Sequence, residues 1–482
     1  MARLCVLTVV VCALAGVGTA ATPSVTFHRD VLPILQKNCQ TCHRPGEVAP
    51  FSLMSYTDAR PWAKAIKAAV VSQKMPPWFA DPKVGHFSNE RRLTQEQIAT
   101  LVSWADNGAP EGDSKDAPAP LKFVDGWNIT PDLQVEMPTE FHVPATGTID
   151  YQYMLVKTNF PEDMWVVAAE MRPGNSKVVH HGEAWVRPPG SKWMADASPG
   201  VSYPTQEMRK GAGEGDEILG KFNPGLGDQT FDFGGSAKFV PKGSDIVFEV
   251  HYTTVGTPQA SKSSVGLVLA KNPPKLRYVT SYGPTGNNLV IEPHDNNAEV
   301  VSEMTSQFDS TMVYIQPHMH LRGKDYEVRL VYPTGETQTV FRGVFDFNWQ
   351  LGYDLEKPLV LPKGTRVQGI AHYDNSPNNK WNPDPAKEVV WGLQNWDEMQ
   401  NCFMGFLIDS GVDPDKLFKA SGPSVLRRVT GKGGPTQASP NNPCLTNKIS
   451  LAATFWSPQR SFPWPRSRPV LKPDPLRLPP DK

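Results

Sequence analysis

The sequence predicts a multidomain chain in which a small all-α domain is followed by two all-β sandwich domains. Three observations carry this expectation. Amphipathic helical periods are confined to a stretch that ends near Gly112 and contains a Cys-x-x-Cys-His motif. A linker of small, charged and proline residues follows it. Beyond the linker, short alternating segments bounded by Gly, Pro, Asn and Asp recur to about residue 410, more than one small sandwich would use. With 482 residues and a formal net charge of −1, the chain has room for several cores. It lacks the charge bias that would favour nucleic acid or an acidic membrane surface.

Residues 1–21, "MARLCVLTVVVCALAGVGTAA", run from one arginine through a short apolar stretch to small residues, the order of a secretory signal peptide. A periplasmic or secreted protein is expected. No later segment approaches ~18 consecutive apolar residues, so no integral membrane segment is expected after signal removal. Signal removal takes away Cys5 and Cys12 and leaves Cys39, Cys42, Cys402 and Cys444. Four cysteines cannot staple so long a chain, and its domains must rest on ordinary cores.

Residues 22–112 form the predicted helical domain. "NCQTCHRPG" contains Cys39-x-x-Cys42-His43, the spacing at which two thiols can bond the vinyl groups of one haem while the next histidine ligates its iron. A Cys39–Cys42 disulfide beside an idle histidine is the other reading of the same residues. For a second axial ligand, "SQKMPPWFAD" offers Met75 ahead of two stiffening prolines, with Met54 and His86 as competitors. Thr94 and Gln97 predict a capping box for a helix whose apolar face is Ile98, Leu101, Val102 and Ala105 and which ends at Gly108. An earlier amphipathic segment, "RDVLPILQKN", precedes the cysteines. Helix, haem motif, methionine loop and closing helix resemble a class I cytochrome c domain, from Val25 to Gly112. The resemblance implies electron transfer through one covalent haem c.

Residues 113–123 read as the linker. Strand-like segments follow, among them "DMWVVAAEM", "SDIVFEVHYT", "DYEVRLVYP" and "TRVQGIAHYD". The break at "AKNPPKLR" divides them into domains 124–271 and 272–421. Residues 422–482, rich in proline and arginine without a strand or helix period, are expected to form a disordered tail.

Histidines stand out along these strands. In "VYIQPHMHLRGK", alternation places His318 and His320 on one face with Tyr314 and Gln316, and Met319 on the other. Two imidazoles at i, i+2 can bind one metal ion. In "SDIVFEVHYTT", Ile246, Phe248, Val250 and Tyr252 make the apolar face, which sends His251 to the opposite face. In "SKVVHHGEAWV", His180 and His181 can reach one metal only if a bend or bulge re-aims one of them, which the neighbouring Gly182 would permit. Met399, in "WDEMQNCFMGF", begins an apolar strand-like run. Alone, each histidine pair is equally well structural, His251 would be a surface or hydrogen-bonded residue and Met399 core, and His28, His142 and His294 have no supporting context.

Taken in order, "VVHH", "FEVHY", "PHMHLRGK" and "DEMQN" resemble the copper type II, ascorbate-dependent monooxygenases, the family of peptidylglycine hydroxylating and dopamine β-monooxygenases. The likeness runs from Asp125 to Val412. It implies two jelly-roll-like β-sandwiches that face each other across a solvent-filled cleft and hold one copper each. His180, His181 and His251 would ligate the electron-storing copper, and His318, His320 and Met399 the copper that meets O₂. Imidazole suits both copper oxidation states, whereas a thioether favours Cu(I). The implied reaction hydroxylates a substrate C–H bond with O₂, the second oxygen atom leaving as water, and takes two electrons per turnover. The expectation is that the haem supplies them from an external donor to the His180, His181 and His251 copper.

Where the peptide-amidating enzyme has an arginine and a tyrosine for the peptide carboxylate, this chain has Gln316 and Phe403. The substrate, a small molecule or peptide-like, is therefore open. Gln400 replaces the family's cysteine, and Cys402 with Cys444 is one pairing the sequence allows. His372 could line the cleft, and reads as a hydrogen-bonded structural residue ahead of a metal ligand. The principal alternative is a non-catalytic electron-transfer or copper-binding protein of the same fold. A blue-copper enzyme is disfavoured because no histidine follows Cys402 or Cys444.

Overall fold

The computed structural model describes residues 25–123, 126–204, 217–286 and 288–420, with the backbone of 425–427. The expected signal peptide, Cys444 and nearly all of the expected tail lie outside the described residues. So does the second of the chain's two compact units, Thr430–Lys482, the first being Met1–Val429.

Most of the described chain is β-sheet, and its helices are short. Four α-helices occupy the N-terminal stretch: α1 (Leu32–Asn38), α2 (Tyr56–Ala59), α3 (Ala63–Val71) and α4 (Gln95–Asp106). The capping box at α4 forms as expected, with the Thr94 hydroxyl accepting from Gln97 N–H at 3.2 Å and the Gln97 side chain accepting from Thr94 N–H at 2.9 Å. Leu101 and Trp104 are the fully buried residues of α4 and pack with Phe27, Leu35 and Ile66. Trp104 extends the apolar face beyond the predicted residues because its indole N–H reaches the Pro110 carbonyl at 3.0 Å.

Two stacks of facing sheets follow, joined by one continuous sheet. That sheet has nine strands, in the order Leu133–Glu136, Ser264–Leu269, Met164–Arg172, Ser236–Val240, Leu276–Ser281, Asn401–Asp409, Ser310–His318 and Tyr353–Leu361, with Gln229–Thr230 pairing beside Met164–Arg172. Its N-terminal and C-terminal halves meet at a short parallel pairing of Leu276 and Arg277 with Ser236 and Ala237. A five-stranded sheet, Ser202–Pro204, Gln152–Val156, Asp245–Tyr252, Val179–Arg187 and Glu217–Phe222, covers the first half. The core between them includes Val156, Val166, Val186, Phe248 and Leu267. A six-stranded sheet built on Thr337–Val344, Gly323–Val331, Arg366–Tyr373 and Ala298–Ser306 covers the second half, around Val328, Phe341, Ile315, Tyr353 and Phe406. The two stacks thus share backbone hydrogen bonds across "AKNPPKLR", where sequence alone reads only a break.

The helical stretch is docked on both stacks. After α3 the chain runs along the second stack: Ala80 bridges Gly343, Phe87 bridges Leu355, and Trp78, Ala80 and Phe87 enter that stack's core. Asn89 holds both the N–H of Asp354 and the carbonyl of Gly352. On the other side, Glu47 accepts from Arg44 and Arg172, both at 2.9 Å, and Arg44 also reaches Asn128 at 2.8 Å. Arg91 donates to the carbonyl of Gly225. The expected linker is also tied down, through Gln36 to the Ala119 carbonyl and the Arg44 guanidinium over Phe123.

Candidate metal centre

Three histidines converge on the outer face of the five-stranded sheet. Ile246, Phe248 and Val250 point into the core, and the two-residue period of the strand sends His251 to the other face with Val247 and Glu249. His181 lies opposite His251 in the ladder and shares that face. One step further the register slips, Tyr252 pairing with Val179, so that His180 is the extra residue of a bulge. The bulge re-aims His180 toward its neighbour, as the sequence required. Gly182 is not its hinge, since its φ is not positive and a Cβ there would lie 2.6 Å from the Met171 methyl. That glycine instead makes room for Met171.

Nδ1 of His180 stands 3.0 Å from Nδ1 of His181, and one ligand atom from each of His180, His181 and His251 lies within 4.8 Å of the others. Two nitrogens each ~2.0 Å from one ion and 3.0 Å apart subtend roughly 100° at it, within the range of a three- or four-coordinate metal. His181 Nε2 is 3.0 Å from the Tyr151 hydroxyl, which leaves Nδ1 for the ion. The Tyr151 ring stacks on His251 at 4.7 Å, and His251 Nδ1 is buried without a hydrogen bond. Burial lowers all three pKa values: His251 falls to about 3, with the charge of His180 adding to the effect, and His181 falls well below the ordinary range. These imidazoles are neutral at physiological pH, the form that binds a metal. The residues fit a metal ion.

The second cluster lies at the end of strand Ser310–His318. His318 pairs with Asn401, where the ladder ends, and beyond it the backbones of His320 and Met399 meet at one carboxylate. The carboxylate of Glu398 holds the two segments together. It accepts the N–H of His320 at 2.9 Å, of Met399 at 3.1 Å and of Arg322 at 2.6 Å. Burial raises the Glu398 pKa to about 7, and those three hydrogen bonds work against the rise. His318 Nδ1 is 2.6 Å from the Gln350 side-chain oxygen, so Nδ1–H donates and Nε2 carries the lone pair. His320 is 1 % exposed and its Nδ1 makes no hydrogen bond. Burial lowers His318 to about 4 and His320 well below its usual value. Met319, on the opposite face as expected, is fully buried in the second core.

The clusters belong to different stacks but adjoin. Phe347 of the second stack lies nearly parallel to His180 of the first, 5.2 Å away. His318 and His320 both contribute to the lowering at His181. Trp185 stacks on Tyr282 at 5.6 Å, and Phe403 sets its edge against Tyr282 at 5.7 Å and His318 at 5.9 Å. Lys221 completes this junction from the first stack. Its ammonium sits 3.2 Å from the centre of the Phe403 ring and 3.1 Å from the Gln316 side-chain oxygen. Sequence reasoning missed Lys221, Glu398, Gln350 and Phe347. Glu398 stands in the "DEMQN" motif but has no role legible there, the other three have no motif, and the roles of all four arise from contacts between distant strands.

Cys39, Cys42 and His43 are brought together by a single turn, His43 N–H and Cys42 N–H both donating to the Cys39 carbonyl at 2.9 and 3.1 Å. The two cysteines are not disulfide-bonded, and burial raises the Cys39 thiol to about 12. His43 Nδ1 lies 3.1 Å from the Phe51 carbonyl, which leaves Nε2 as the ligand atom. These three residues fit a haem attachment. Met75 is half-buried in the turn after α3, its N–H 3.3 Å from the Ala69 carbonyl. Cys402 is a buried thiol in the second core.

His372 belongs to neither cluster. It is hydrogen-bonded to Asp325 at 2.6 Å and lies 3.4 Å from Glu299, and Asp325 first of all raises its pKa. It lines a cavity of about 770 Å³ on the six-stranded sheet with Glu327 and Arg342.

No family model matches the chain, and no curated protein matches it. Among solved structures, the infectious bursal disease virus VP2 subviral particle is 9% identical, covers 60% of this chain and 75% of its own, and has a TM-score of 0.17. The structure of the Gt strain of the same virus is 8% identical, covers 60% and 74%, and scores 0.16. Likenesses this slight carry no argument about fold or function. Among the described residues, no helix is long and apolar enough to cross a membrane.

Proposed function

We propose that this protein is an exported oxidoreductase that carries one covalent haem c and two coppers, and hydroxylates a C–H bond of a small-molecule or peptide-like substrate with O₂. The helical stretch would be its class I cytochrome c domain and the two stacks its jelly-roll-like copper domains, residues 124–271 and 272–421. The observation that carries this reading is the convergence of His180, His181 and His251, all neutral, beside His318 and His320, with the backbone of Met399 held next to that of His320 by Glu398. When bound, copper supplies one-electron chemistry and a position for O₂, and haem a one-electron relay from an external donor.

The chain's own residues account for the rest. Tyr151 and Gln350 fix the ring nitrogens of His181 and His318. Glu398 holds the backbone of Met399 beside that of His320. Lys221, whose pKa burial lowers to about 7, places an amine that donates to Gln316 and sits over Phe403, where the resembled peptide-amidating enzyme has its arginine and tyrosine.

The test is the copper-to-haem ratio of protein matured in a haem-competent periplasm. About two coppers per haem are expected, with His181→Ala and Met399→Ala each weakening one site. Haem without stoichiometric copper would sink the proposal. Substrate-dependent O₂ consumption then separates an enzyme from a carrier, which would show none.

A further inference from the structure

The segment between strands Thr337–Val344 and Tyr353–Leu361 touches both clusters. Phe347 stacks on His180 at 5.2 Å, and three residues later Gln350 accepts from His318 Nδ1 at 2.6 Å. Between them the chain is folded on itself. Trp349 N–H donates to the Asp346 carbonyl, and Asn348 donates to the Asp346 carboxylate from both its backbone and its side chain, each at 2.9 Å. Three residues span at most ~10 Å, so neither contact can shift far without the other.

The segment is also held at its flanks. Phe345 N–H reaches the Lys324 carbonyl at 2.9 Å, and Leu351 is buried. Trp349 packs against Gly225 of the first stack, where a Cβ would stand 3.2 Å from the indole and where φ is +81°. The Gln350 carbonyl accepts from the Gln316 side chain at 3.0 Å. One turn of the second stack therefore buttresses a ligand histidine in each stack.

We propose that the turn Phe345–Gly352 is a positioning element shared by the two metal sites, through which copper at one site raises the affinity of the other. The inference rests on the dicopper reading. A metal that settles His180 fixes the ring on which Phe347 stacks, and the turn, already held on itself and at its flanks, passes that position on to Gln350 at His318. The second ion then meets a His318 whose ring orientation is already set, which gives positive coupling.

The test uses the full haem-loaded chain, titrated anaerobically with Cu(I) against a competing chelator. The thioether-containing site is identified by sulfur scattering in X-ray absorption. Gln350→Leu contacts only the His318 cluster, and is expected to weaken copper binding at the His180 cluster by about 5-fold or more, within the usual range of coupling between sites. Phe347→Leu is expected to do the converse. Insertion of two glycines after Asn348 should remove the coupling while leaving each site's separate affinity near wild type, which guards against simple misfolding of the substitutions. Should each substitution weaken only the site it touches, the shared turn is overturned and the dicopper reading stands. Should wild type bind fewer than about two coppers, the dicopper reading itself fails.

Discussion

At the scale of single residues, burial decides the chemistry of the histidines. His251 and His318 titrate at about 3 and about 4 in the folded chain, against an ordinary 6.5. Below that ordinary value the unfolded chain takes up protons that the folded chain refuses. The metal-free protein should therefore lose stability as pH falls from about 6.5 toward 4, by roughly 1.4 kcal/mol per unit for each such histidine. Urea unfolding of metal-free protein at about pH 7.5 and about pH 5 measures this, and equal stabilities would mean that these imidazoles are not buried in neutral form. Glu398 is the other decisive residue. Glu398→Ala leaves the N–H groups of His320, Arg322 and Met399 without their acceptor and should cost about 3 kcal/mol or more in urea unfolding. Copper affinity at that cluster should fall with it.

At the scale of elements, a bulge and a docked segment do most to place the site. The bulge in Val179–Arg187 is what brings neighbouring histidines to one side, where they could share an ion, and the requirement for it could be read from "VVHHG" because a regular strand separates adjacent side chains. Its hinge could not be read, for Gly182 answers to Met171 across the core. The segment after Met75 shows the same limit. Two prolines suggested only a stiff loop, whereas Trp78 is 9 % exposed with its ring 4.8 Å from Tyr353 in the second core. Trp78→Ala should therefore destabilise the β-sheet stack itself, by about 3 kcal/mol in chemical denaturation. A loss confined to the helical signal would show that the docking is superficial.

At the scale of the whole molecule, the expected succession of separate domains becomes three parts tied together. The nine-stranded sheet crosses from one stack to the other, and Gly225 is met both by Arg91 of the helical stretch and by Trp349 of the second stack. Structures coupled this way unfold together. Near-ultraviolet aromatic and far-ultraviolet circular dichroism should lose intensity at one midpoint on heating, and two transitions well separated in temperature would contradict the shared cores.

The sequence by itself determined the local features of this protein: the capped helix at Thr94, the turn of Cys39, Cys42 and His43, and the alternation that sends His251 and Met319 to opposite kinds of surface. These follow from short-range periods and hydrogen bonds within a few residues, so the chain carries them without knowing its partners. Only the tertiary structure decided which surfaces meet. It set His320 against Met399 through Glu398, brought Lys221 to Gln316 and Phe403, and laid Phe347 on His180. Each of these joins strands far apart in the chain; the motifs name His180, His320 and Met399, but which sheet edges and faces pack together, and through which contacts of Lys221, Phe347 and Glu398, leaves no period in either segment.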